Sequence, residues 1–329
     1  MANRTIVASA PHIHGNQSTT RLMGDVIIAL MPALAVSVYV FGWNVLAVTA
    51  VSISCCVLFE FLIQKLFVKG KQTITNLSAV VTGLILAMNL PAGIPLWIVA
   101  VGALVAIGIA KMPFGGLGKN PFNPAIVGRV FLLIAYPEQM TEKSSFTVAD
   151  AVTGPTPLNE IKEAMRASGE TLGKYLSDSD LFGMFTGNMA GSFGEVATLA
   201  LLIGFVYLLL RRVITWHIPV SIFVTVAAFA AIFGICKLDT LHLVSNFTLF
   251  HLLSGGVVLG AVFMATDYVT SPMTTKGMLI YGVGIGVLTM VIRLWGAYPE
   301  GMSFAILLMN SVVPLINKYV KPRRFGSKK

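Results

Sequence analysis

Asp150, Thr153, Gly154 and Thr156 follow the spacing Asp-x-x-[Ser/Thr]-Gly-x-Thr within Asp150-Ala-Val-Thr-Gly-Pro-Thr-Pro-Leu158. That order is the acceptor pattern for covalent flavin transfer, in which the phosphate of FMN becomes esterified to the last hydroxyl, here Thr156. At ordinary residue frequencies the pattern arises by chance in on the order of one chain in a hundred of this size. The plain alternative is a turn, since Asp, Thr, Gly and Pro are all turn formers. Asp150 or Thr153 can also cap a helix over residues 159–167. The position of the stretch favours chemistry: it lies in the only long polar interval, 137–194, of a very apolar chain.

The elements around it read as membrane. The 329 residues are 56% hydrophobic and 11% charged, with a mean hydropathy of +0.82. Soluble domains carry roughly 25% charged residues, so a soluble enzyme is excluded. The net charge of +9 does not imply nucleic acid, because no Lys/Arg run alternates with aromatics. Lys and Arg collect instead in short loops, as cytoplasmic loops require. The three cysteines, Cys55, Cys56 and Cys236, lie in apolar runs without C-x-x-C spacing. Neither a disulfide framework nor a metal centre held by this chain alone is expected. Residues 1–21 are polar and lack the apolar core of a cleavable leader.

Counting about 20 apolar residues per crossing gives ten expected spans: 22–41, 45–67, 77–90, 96–110, 126–136, 195–210, 218–236, 253–268, 277–294 and 302–316. The third, fifth and eighth are short, and a short amphipathic connection over 237–250 precedes the eighth. Residues 114–125, Phe-Gly-Gly-Leu-Gly-Lys-Asn-Pro-Phe-Asn-Pro-Ala, are too rich in Gly and Pro for a regular helix. The Lys/Arg distribution places both termini in the cytoplasm and the 137–194 loop outside.

Leu77-Ser-Ala-Val-Val-Thr-Gly83 and Leu253-Ser-Gly-Gly-Val-Val-Leu-Gly260 match with one residue inserted. The fifth and tenth spans share Ala-Ile. The fold expected is an all-α polytopic membrane protein of two inverted five-helix repeats with short broken helices, a plan common among transporters. Its parts are a cytoplasmic segment 1–21, a first repeat 22–136, the loop 137–194, a second repeat 195–317 and a basic tail 318–329. Broken helices free backbone groups that only protein or a water-filled cavity can cover. An enclosed cavity is therefore expected beside Gly115, Gly116, Asn120 and Asn123. The ionisable residues within spans are Asp25, Glu60, Arg129, Asp267 and Arg293. Such residues are functional candidates by default. Asp267 leads as an ion-path residue, with Asp25 and Glu60 behind it.

Nearly the whole chain resembles one family. Pro11-His-Ile-His14, residues 115–125, Gly128-Arg-Val-Phe-Leu-Leu-Ile-Ala-Tyr-Pro137, Ala265-Thr-Asp-Tyr-Val-Thr-Ser-Pro272, Arg293-Leu-Trp-Gly-Ala-Tyr-Pro-Glu-Gly301 and Leu307-Leu-Met-Asn310 carry the likeness. It is to the D subunits of Rnf complexes, homologous to the B subunits of Na⁺-pumping NADH:quinone oxidoreductases. The resemblance implies a membrane subunit of an ion-translocating ferredoxin:NAD oxidoreductase in a bacterial or archaeal cell membrane. It implies FMN on Thr156, with Asp150, Thr153 and Gly154 read by a flavin transferase, and a noncovalent riboflavin in the membrane. The 115–125 segment would then form the riboflavin cavity. The A, B, C, E and G subunits of Rnf would be partners, and Na⁺ or H⁺ the ion moved. NAD chemistry would fall to partner subunits, since Gly282-Val-Gly284-Ile-Gly286 lacks the third glycine of a nicotinamide fingerprint and lies in a span. No catalytic residue is therefore expected in this chain. Two alternatives stay open: a B subunit of the quinone-reducing relatives, and a transporter or channel without redox chemistry.

Overall fold

The computed structural model describes residues 18–68, 74–141, 157–167, 169–187, 191–196, 198–238, 240–298 and 300–321. Among these the chain is helical and has no strand. Five helices are long and apolar enough to cross a membrane: α1 (Thr19–Phe41), α2 (Asn44–Ile63, continuing as a π-turn to Val68), α11 (His217–Lys237), α14 (Thr275–Trp295) and α15 (Met302–Tyr319). A sixth crossing is a bent pair, α12 (Leu241–Leu253) and α13 (Val257–Leu259, extended by a π-turn to Met264), inclined at 57°. Four shorter apolar helices complete the bundle: α3 (Ser78–Met88), α4 (Leu96–Leu104, extended by a π-turn to Ile109), α5 (Pro124–Ala135) and α10 (Thr198–Leu210). The protein is a multi-pass membrane protein. The ten expected spans thus become five long helices, one bent pair and four helices too short to span by length alone. At 1.5 Å per residue the 11 residues of α3 rise roughly 16 Å, about half of a bilayer core.

Local chemistry sets the breaks. Asn123 caps α5 by accepting from Ala125 N at 3.1 Å, and Pro124 takes the first helical position, where its missing N–H costs nothing. Thr274 caps α14 by accepting from Gly277 N at 3.1 Å. Between α12 and α13, Gly255 adopts φ +64°. A Cβ there would meet Leu158 Cδ1 at 2.6 Å and Arg293 Nη2 at 2.7 Å, so only glycine suits the site. The matching turn before α3 uses Leu77 at φ 61°.

The polar interval carries four helices, α6 (Pro137–Thr141), α7 (Pro157–Ala167), α8 (Gly169–Asp178) and α9 (Leu181–Thr186). They cover one end of the bundle, here called the loop face. α7 holds to the bundle through Lys162, whose Nζ donates to Gly296 O at 2.5 Å and Tyr298 O at 3.0 Å. Two sequence expectations shift. Residues 191–196 are buried turns rather than an outer loop and the start of a span. Gly194 N donates to Met88 O at 2.9 Å and Phe193 O accepts from Ser37 Oγ at 2.6 Å, so this segment covers the free carbonyl end of α3. The 237–250 connection is helix α12, with Phe247 and Phe250 fully buried. Its buried residues Val244, Phe247, Phe250 and His251 recur on one stripe while Leu241 and Leu249 are exposed, so the segment is one-sided as its sequence suggested and is a helix rather than a loop.

Candidate functional site

Two polar centres lie in the bundle, one toward each end. Near the end opposite the loop face, Lys111 Nζ meets Glu60 Oε2 at 2.6 Å and Ser78 Oγ at 2.7 Å, with Lys111 and Glu60 almost wholly buried. The cation binds the first residue of the short helix α3 to α2. Beside it opens a cavity of about 90 Å³, lined by Ser78, Lys111, Leu117, Asn120, Asn123 and Asp267 among mostly apolar residues. An apolar wall with a few placed polar groups is the lining of a ligand pocket. Asn120 Nδ2 donates to Phe122 O at 3.0 Å. Asn123 Nδ2 donates to Met264 O at 3.1 Å, closing the carbonyl end of the α13 π-turn.

Gly115 and Gly116 do not line the cavity. They form, with Gly118, a turn of left-handed residues at φ +105°, +83° and +91° that carries Leu117 and Asn120 to the wall. Asp267 lines the cavity and folds back on its own turn, accepting from Thr270 Oγ1 at 3.3 Å and Val269 N at 3.5 Å. Asp25 stands apart, accepting from Tyr207 Oη at 3.0 Å and from Arg211 Nη2 at 3.2 Å. Glu60 belongs to the Lys111 centre. Asp267 and Glu60 are thus brought near one cavity, and Asp25 is held in an ion pair at the end of α1.

The second centre lies beneath α7. Arg129 of α5 donates from Nη1 to Asn89 Oδ1, Glu300 Oε1 and Ser303 Oγ, each at 2.9 Å. Its Nη2 meets Glu195 Oε1 at 3.1 Å and also Glu300 Oε2. Gly256 N donates to Glu300 Oε1 at 3.2 Å. Arg293 of α14 donates to the carbonyls of His251 and Ser254 at 2.7 and 2.8 Å, where α12 ends. The sequence marks Arg129 and Arg293 as intramembrane charges. It does not mark Glu195, Glu300 and His251, which sit at element ends where depth is invisible in one dimension. The matched Leu-Ser pairs offer one signal: each receives a buried cation, Lys111 at the Ser78 hydroxyl opening α3 and Arg293 at the Ser254 carbonyl closing α12.

Asp150, Thr153, Gly154 and Thr156 lie outside the described residues. The next residue, Pro157, opens α7, and Leu158 approaches Gly255 at the second centre.

The family model described as NQR2, RnfD, RnfE matches residues 6–326. The chain belongs to that family. Among curated relatives, the D subunit of the Na⁺-translocating ferredoxin:NAD⁺ oxidoreductase complex of Acetobacterium woodii is 47% identical over 320 residues, 97% of this chain and 95% of the relative. The D subunit of the proton-translocating ferredoxin:NAD⁺ oxidoreductase complex of Clostridium ljungdahlii is 42% identical, covering 98% of this chain and 96% of the relative. The D subunit of the ion-translocating oxidoreductase complex of Erwinia tasmaniensis is 37% identical, covering 98% of each chain. These relatives are subunits of an oxidoreductase that moves ions. Both broken helices, with their Leu-Ser starts, fall inside the span that the family model matches.

Proposed function

We propose that this chain is the D-type membrane subunit of an Rnf complex and that it carries FMN as a phosphoester on Thr156. The observation that carries the reading is the run Asp150-Ala-Val-Thr153-Gly154-Pro155-Thr156 in a member of the NQR2, RnfD, RnfE family. Its setting supports it. The acceptor immediately precedes Pro157, the first residue of α7, and a helix N-terminus favours a phosphate through its free N–H groups and dipole. When bound, the flavin supplies one- or two-electron redox chemistry. This chain positions it through α7, which Lys162 ties to the 296–298 turn.

The cavity near Asp267 supports a second, noncovalent flavin, riboflavin. Lys111, Asn120 and Asn123 place a few polar groups in its apolar wall, the kind of lining such a ligand needs. The lysine and arginine pattern favours the loop face outside: Lys65, Arg211, Arg212, Lys276 and Lys318 all sit at the other end. The ion is Na⁺ or H⁺, and two relatives above 40% identity are named one for each.

The test is a denaturing gel of the full chain from a host with the flavin transferase, read by in-gel flavin fluorescence. Native chain should fluoresce, and Thr156→Val should be dark while inserting normally. A dark native band overturns the covalent assignment. Extraction of the native protein with acid should release riboflavin, and Asn123→Leu should lower that yield without dimming the gel band.

A further inference from the structure

The centre beneath α7 brings two carboxylates to one guanidinium. Glu195 and Glu300 both meet Arg129 Nη2, so the two carboxylates converge on one guanidinium nitrogen. Arg293 acts on them only through space. Its Nη atoms are taken by the carbonyls of His251 and Ser254, at the negative end of α12. That leaves one cation in direct contact with two carboxylates, Glu195 buried and Glu300 14% exposed, and like charges this close in a poorly solvated site do not both ionise. Glu300 is the better-held anion: Arg129 contacts both its oxygens, and Gly256 N donates to it. Glu195 has one Arg129 contact and Ser192 beside it. Lys162, the nearest cation on α7, is committed to backbone carbonyls of the 296–298 turn.

A second set of atoms points to water. Arg129 Nε, Arg293 Nε, Ser254 Oγ and both ring nitrogens of His251 are buried with no partner among the described residues. Arg129 and Arg293 are the side chains that frame the carboxylates, and His251 and Ser254 are each 1% exposed. Buried polar atoms are almost always met by protein or by ordered water, and buried waters typically make about three hydrogen bonds. Neighbouring unmet donors and acceptors from α5, α12 and α14 suit such waters.

We propose that Glu195 and Glu300 form an exchangeable proton site, with one proton on Glu195 hydrogen-bonded to the Glu300 carboxylate and internal water at Arg129, His251 and Ser254 linking it to the loop face. Uptake forms one O–H bond on Glu195 and takes the proton from water at that face; release reverses it. No electron moves in this step. The proposal does not require a flavin.

The experiment is infrared difference spectroscopy on the full chain in lipid, titrated with pH in H₂O and in D₂O. The native protein should show a protonated-carboxyl band that disappears in one step and shifts on deuteration. Glu195→Gln should remove it, and Glu163→Gln, on the exposed side of α7, should not. A native titration with no such band, or a band unchanged in Glu195→Gln, overturns the proposal. Should Glu195→Gln fail to insert, Glu300→Gln decides: it removes the second negative charge beside Arg129, so the Glu195 band must be lost or titrate at lower pH. An unchanged titration overturns the proposal equally.

Discussion

Arg129 gathers groups from elements far apart in sequence: Asn89 after α3, Glu195 before α10, and Glu300 and Ser303 around the start of α15. Removing one partner from a buried ion pair costs about 3–5 kcal/mol, since the other charge stays buried without compensation. Arg129→Met should therefore lower the unfolding midpoint of the detergent-solubilised chain strongly. Arg129→Met with Glu195→Gln should recover part of the loss, since one of the two stranded carboxylates is gone. Equal melting of the single and double variants would detach Glu195 from the centre. Lys162 gives a pH signature. Burial pushes its ammonium below the usual lysine range, and Arg166 adds to this. A lysine depressed in the folded state favours folding more as the pH rises. The cost of burying its charge is fully present below the folded value and is relieved as the pH climbs to the unfolded one. Docking of α7 should therefore tighten toward alkaline pH, read as slower proteolysis of α7 relative to Lys162→Met digested at the same pH. In that variant the alkaline gain should vanish, and a gain of equal size in both chains would assign it to another group.

Among elements, the short helices explain which parts were legible. Gly-Gly-Leu-Gly, Asn-Pro-Phe-Asn-Pro and Ser254-Gly-Gly announce breaks in the chain, and the breaks occur there. The depth of a polar side chain is not written in the same way. Lys111 follows an apolar run and reads as a loop cation, yet it is 2% exposed and locked to Glu60 and Ser78. Glu195 reads as the first residue of a span, whereas the turn 191–196 carries it into the bundle before α10 begins. Packing of distant segments decides both, as the contact of Gly194 with Met88 O shows. The Lys111 centre joins α2 to the start of α3. Lys111→Met should cost about 3–5 kcal/mol, and Lys111→Met with Glu60→Leu should be much closer to the native chain. Thermal unfolding in detergent distinguishes the two. A double variant as unstable as the single one would show that Glu60 is held mainly by other contacts.

At the scale of the molecule, each centre includes one of the two matched Leu-Ser pairs. A cation from a neighbouring helix meets Ser78 at the start of α3 and the Ser254 carbonyl at the end of α12, Lys111 and Arg293 respectively. One borders a cavity lined by Asp267; the other lies under α7, the helix that follows the proposed flavin acceptor in sequence. In the proposed arrangement the halves are inverted, so the two centres look toward opposite sides of the membrane. Basic residues at the end away from α7 then fix which side is which. This can be tested without any assumption about flavin. In a background lacking Cys55, Cys56 and Cys236, a cysteine at Glu163 on exposed α7 and one at exposed Lys276 on the opposite end should differ in access. Intact cells treated with a membrane-impermeant maleimide should label Glu163→Cys and spare Lys276→Cys, and inverted vesicles should reverse the pattern. Labelling of both from one side would place α7 and the start of α14 on a common face. That result would remove the inverted arrangement and, with it, the pairing of Lys111 and Arg293 as counterparts across the membrane.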